Sequence, residues 1–139
     1  MVLFYAFLGM VCWGLAPIFG KIGLSGVSPV TALTLRTLIA AAFVLGWVIS
    51  TASYTELGKV PAMLWFFIAV EALLATLLGD LAYFVALKYG NVNVVTIVMS
   101  CAPLVTILIN YLCLGNTATS WQIIGSLLIT VGLLLVCAE

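Results

Sequence analysis

Residues 61–87, PAMLWFFIAVEALLATLLGDLAYFVAL, decide the fold: 27 consecutive positions carry only two charges, Glu71 and Asp80. The hydrocarbon core of a bilayer is about 30 Å thick and takes roughly 20 apolar residues of α-helix to cross. This stretch therefore predicts a membrane span. Working outward, the same reading applies to residues 2–20, 29–50, 92–114 and 120–138. The breaks between them carry turn-forming residues: GLSGVSP (23–29), residues 50–59, YGN (89–91) and GNTATS (115–120). Ser28 before Pro29, and Thr119 or Ser120 before Trp121, read as helix N-caps. The expectation is an all-α integral membrane protein, a single domain over residues 1–139 built as a bundle of five transmembrane helices.

Composition agrees. Hydrophobic residues make up 66% of the 139 positions and charged ones 6%, against roughly 25% charged in a soluble domain. Four basic and four acidic residues balance, His is absent, and no basic run points to nucleic acid. Cys12, Cys101, Cys113 and Cys137 show no metal-ligand spacing and fall within apolar stretches, where cysteine acts as a small apolar side chain. Neither a metal nor another cofactor is expected. The opening residues lack a basic region and a small-residue cleavage site, so a retained first span is expected in place of a signal peptide.

Alternating the spans across the bilayer brings Trp47, Trp65, Tyr111 and Trp121 to one face, as aromatic residues at a membrane interface require. Lys59 lies on that face, whereas Lys21 and Lys88 lie on the other, with Arg36 leaning the same way. That bias is narrow and permits both orientations. An odd number of spans puts the two ends of the chain on opposite sides. A second copy inserted upside down would then complete a two-fold inverted repeat, an architecture of secondary transporters.

Three ionisable residues lie deep in the spans, where each costs about 2.5–3.5 kcal/mol on insertion scales. Arg36 is seven residues past Pro29, and Asp80 is eight residues before Lys88. At about 1.5 Å per residue the two reach similar depth below one face and can pair. Glu71, nine residues before Asp80, falls on the opposite side of a regular helix, near mid-membrane. With Ala75, Gly79, Ala82 and Ala86 it opens a stripe that admits another helix. A carboxyl there, with no basic residue at its depth, suits a proton-coupled site or a hydrogen bond to a neighbouring helix.

On the fourth helix Asn93, Thr96, Ser100, Pro103 and Asn110 cluster within about 100° of arc. Pro103 cannot donate to the carbonyl of Met99, nor Pro17 to that of Trp13, so both positions predict kinks, tolerated where protein or a wet cavity lies alongside. On the fifth helix Gln122, Ser126 and Thr130, with Gly125 and Gly132, read as a helix contact face and a candidate dimer seam.

The segments WGLAPIFGK (13–21), SPVTALTLR (28–36), ALKYG (86–90) and APLVT (102–106), leading to Leu114 and Gly115, resemble in order and spacing the EamA-like repeat of the drug/metabolite transporter superfamily. The resemblance covers nearly the whole chain, which is similar to a single-repeat version. It implies that larger members hold two oppositely oriented repeats and export metabolites, amino acids or drugs. It also implies that the first four helices of each repeat surround a cavity while the fifth supports assembly. Asn116 stands where the family often has Glu, so no role is carried to it.

Together these readings predict a secondary transporter subunit in the cytoplasmic membrane, exporting small solutes as an inverted homodimer, or with a related partner chain. Arg36, Glu71, Asp80, Asn93, Ser100 and Asn110 are the expected lining of its substrate or proton site. The alternatives are a non-transporting membrane partner of a larger complex and a lipid-carrier flippase. An enzyme is not expected: there is no GxSxG elbow, metal cluster or phosphate loop.

Overall fold

The computed structural model describes residues 1–115 and 119–137. Asn116 and Ala138 lie outside the described residues. Among the described residues, four helices are long and apolar enough to cross a bilayer: Val2–Gly23, Pro29–Ser50, Ala62–Tyr89 and Val92–Cys113. A fifth apolar helix spans Ser120–Cys137. The protein is an all-α integral membrane protein, and its spans contact the lipid bilayer. Large apolar side chains such as Phe43, Trp47 and Leu128 stand exposed along them, as hydrocarbon solvent allows.

The chain divides into two compact units. The first comprises Ile18–Tyr89. Its second helix starts as the Ser28-Pro29 pair predicts: the Ser28 hydroxyl accepts from the Thr31 backbone N–H at 3.1 Å, and Pro29 opens the helix without an orphaned donor. A short helical turn, Tyr54–Leu57, follows in the loop, where Lys59 pairs with Glu56 at 2.8 Å.

The third helix is not regular. Between Ala62–Ala72 and Asp80–Tyr89 it widens into a π-helical stretch, Leu73–Gly79. A Cβ placed on Gly79 would stand 2.9 Å from the Leu74 carbonyl oxygen of the same helix. The wide turn thus needs a residue without a side chain at that point. The second helix packs on the Asp80–Tyr89 segment, and Leu24, Leu33, Phe84 and Leu87 are the buried apolar side chains.

Two lysines tie this corner together. Lys21, in the last turn of the first helix, donates to the carbonyls of Leu87 at 2.7 Å and Lys88 at 3.1 Å. Lys88 donates to the carbonyl of Val27 at 2.7 Å. Carbonyls at a helix end have no intrahelical partner, so a cation that reaches them satisfies both hydrogen bond and helix dipole. Gly20 lets the first helix come close: a Cβ there would stand 3.1 Å from Leu87 Cδ2.

The second unit comprises Met1–Pro17 and Gly90–Glu139, of which the described residues show a broken fourth helix. Val92–Met99, capped by the Asn91 side chain, ends at Ser100, and Ala102–Leu114 begins just before Pro103. Gly115 closes it in the left-handed conformation at φ 64°. The fifth helix packs on Val92–Met99. Pro17 is buried within a first helix that stays continuous.

Candidate functional site

The depths counted for Arg36 and Asp80 bring the two side chains together: Arg36 Nη1 lies 2.6 Å from Asp80 Oδ2. Asp80 is 8% exposed, and the Arg36 guanidinium sits 5.7 Å from the centre of the Phe84 ring. The helix periodicity explains the trio. Phe84 follows Asp80 by one turn, so both point at the second helix, and the aromatic face meets the cation while the carboxylate meets its N–H groups. The pair is charge-assisted and directional. The Arg36 side chain remains 45% exposed, so its other donors are open to an incoming group.

The second and third helices also border an open groove of about 710 Å³, which neither Arg36 nor Asp80 lines. Leu33, Leu38, Leu73 and Leu77 make it apolar, and the hydroxyl-bearing Thr34, Thr37 and Thr76 also line it. The π-helical stretch supplies Leu73, Thr76 and Leu77. Wide helical turns recur at functional sites.

Glu71 belongs to the same unit but does not line this groove; it stands exposed on the outside of the third helix. The expectation that it lies opposite Asp80 assumed a regular α-helix. The wide turns between the two residues have a different period, so that count does not apply.

Asn93, Ser100 and Asn110 sit in the other unit, along the broken helix. Asn93 is exposed and Asn110 half-buried. Ser100 donates to the Ile97 carbonyl at 2.6 Å, and Thr96 to Val92 at 2.9 Å and Asn93 at 3.0 Å. Much of that polar face is therefore engaged with its own backbone. Among the described residues, no three His, Cys, Asp or Glu side chains gather to hold a metal ion.

Sequence reasoning treated Lys21 and Lys88 only as charges that orient the chain; the helix-end cap by Lys21 and the loop contact of Lys88 with Val27 need the third dimension. Phe84 was missed too, although its spacing of four from Asp80 was a usable signal.

Residues 1–138 match the model of the EamA-like transporter family. Among curated proteins, the "Uncharacterized transporter YyaM" of Bacillus subtilis (strain 168) is 26% identical over 128 residues, 92% of this chain and 42% of that protein. The "Uncharacterized transporter in cobO 3'region" of Sinorhizobium sp is 27% identical over 132 residues, 95% of this chain and 93% of that one. The "Riboflavin transporter ImpX" of Fusobacterium nucleatum subsp. nucleatum (strain ATCC 23726 / VPI 4351) is 27% identical over 130 residues, 94% of this chain and 44% of that one. The chain thus spans less than half the length of two of these relatives and nearly all of the third. No solved structure matches it.

Proposed function

This chain belongs to the EamA-like transporter family, and from that premise we propose that it is one half of a secondary transporter, working as an inverted homodimer by alternating access. Small metabolites or drug-like solutes are its cargo, moved outward across the cytoplasmic membrane. The observation that carries the reading is the fit of the chain to one family repeat over residues 1–138, beside relatives more than twice its length. Those longer relatives have room for a second repeat, and here a second copy supplies it. The Sinorhizobium relative, of nearly the same length, supports a five-helix unit of this size.

Within each half, the Arg36–Asp80 pair is the exchange point. An anionic group on the solute competes with Asp80 for the guanidinium, and a proton competes with Arg36 for the carboxylate. In the other unit, Asn93, Ser100 and Asn110 give the broken helix polar positions of its own, and the discontinuity before Pro103 supplies backbone carbonyls at membrane depth.

The apolar groove favours a second reading, transport of an amphiphile such as a lipid carrier, whose tail would lie among Leu33, Leu38, Leu73 and Leu77. Purified protein in liposomes tests both. Riboflavin, which the name of the Fusobacterium relative gives, belongs in the first screen with small metabolites, and a labelled lipid carrier in the second. Uptake lost in Asp80→Asn, with equal protein inserted, supports the exchange point; undiminished uptake removes Asp80 from it. A protein that moves no solute of either class points instead to a non-transporting partner subunit.

A further inference from the structure

The two halves of the third helix are held very differently. The trailing half, Asp80–Tyr89, is anchored: Asp80 pairs with Arg36, Phe84 and Leu87 are buried, and Lys21 holds the carbonyls of Leu87 and Lys88. Along the leading half, Ala62–Ala72, and on to Leu78, every residue is exposed. Between them lies the wide turn. It ends on Asp80 itself, whose backbone N–H donates to the carbonyl of Ala75, a π-type step of five residues, and to that of Leu77.

The π-helical stretch Leu73–Gly79 holds about one residue more than an α-helix needs over the same turns. Its return to α geometry adds about 100° of rotation and about 1.5 Å of rise. With the trailing half fixed, the leading half makes the whole of that movement, and each of its residues takes the place of the one before it. Val70 and Leu73 then stand where Ala69 and Ala72 now line the groove, so two bulkier side chains replace two methyls in its wall. Glycine at position 79 keeps the wide form open, since a Cβ there would meet the Leu74 carbonyl oxygen at 2.9 Å.

We propose that Leu73–Gly79 is the moving joint of the transport cycle. It passes between π and α geometry, turning Ala62–Ala72 against the anchored Asp80–Tyr89 half and so opening and closing the groove between the second and third helices. This rests on the alternating-access reading above. Because the joint ends on Asp80, exchange at the ion pair and movement of the helix share one residue.

Paired spin labels in liposomes test it, with Cys12, Cys101, Cys113 and Cys137 replaced by Ala and labelled chains diluted in unlabelled ones, so that each distance lies within one chain. Phe43→Cys on the second helix is paired in turn with Trp65→Cys, Phe66→Cys and Phe67→Cys in the leading half and with Val85→Cys in the trailing half, all at exposed positions. In Gly79→Ala, whose methyl favours the α form, the label at 66 is expected to read the distance that 65 reads in the parent, and 67 that of 66. The distance to 85 stays. Leading distances unchanged, or the distance to 85 moving with them, would overturn the joint and leave the transporter reading standing, since rigid halves can rock without it. Liposome uptake reads that function separately. Removal of Thr76 takes the extra residue out of the wide turn, and is expected to keep all four distances at their parent values. It should also narrow the spread of the three leading ones, because the parent samples two forms and this variant one. A spread as broad as the parent's, or leading distances displaced by one residue, would contradict the proposal, and this arm decides alone if Gly79→Ala does not insert.

Discussion

Asp80 and Arg36 carry unequal burdens in their pair, since the carboxylate is buried and the guanidinium half-exposed. Asp80→Asn leaves a cation at membrane depth without its counter-charge and is expected to cost about 1–3 kcal/mol of stability, read by thermal unfolding in detergent. The double variant Arg36→Gln with Asp80→Asn removes both charges and should recover most of that loss. If the pair is an exchange point, the double variant stays inactive; transport at the parent rate would make the pair architectural. Lys21→Met removes charge-assisted bonds to helix-end carbonyls and Lys88→Met one to the loop carbonyl of Val27, and each should lower stability by about 1–2 kcal/mol; unfolding temperatures unchanged in both would refute the corner. At this scale the pairing was legible, because depth counted along two helices is nearly one-dimensional. The lysine contacts were not, because they depend on which helices are neighbours.

At the scale of the element, the wide turn of the third helix gives two glycines different weight. Alanine at Gly79 meets the Leu74 carbonyl oxygen, part of the backbone, at 2.9 Å, whereas alanine at Gly20 meets the Leu87 side-chain methyl at 3.1 Å. A methyl can yield and a helix carbonyl cannot. Gly79→Ala is therefore expected to cost about 1–3 kcal/mol and Gly20→Ala less; the reverse order would argue against the π-helical stretch. Five apolar helices were legible because length and hydropathy suffice to read them. The wide turn was not, since no composition rule marks it, and so the stripe of Ala75, Gly79, Ala82 and Ala86 was read only as room for a neighbouring helix. Gly79 is also required inside its own helix. The fifth helix shows the same limit. Of Gln122, Gly125, Ser126, Thr130 and Gly132, read as a seam between copies, all but the exposed Gln122 are partly covered in this chain, whose fifth helix packs on Val92–Met99.

For the whole molecule, the account turns on two copies in opposite orientations. Lys21 caps a helix end and Lys88 holds the Val27 loop carbonyl at one corner, while Lys59 pairs with Glu56 in a loop at the other membrane face. An inverted pair of one sequence requires such a near-balance of positive charge. The most direct measurement uses the exposed loop between the second and third helices: Glu56→Cys in a background with the four native cysteines replaced, labelled by a membrane-impermeant thiol reagent from each side in turn. Comparable labelling from both sides is the predicted result, and labelling from one side alone would contradict the inverted homodimer.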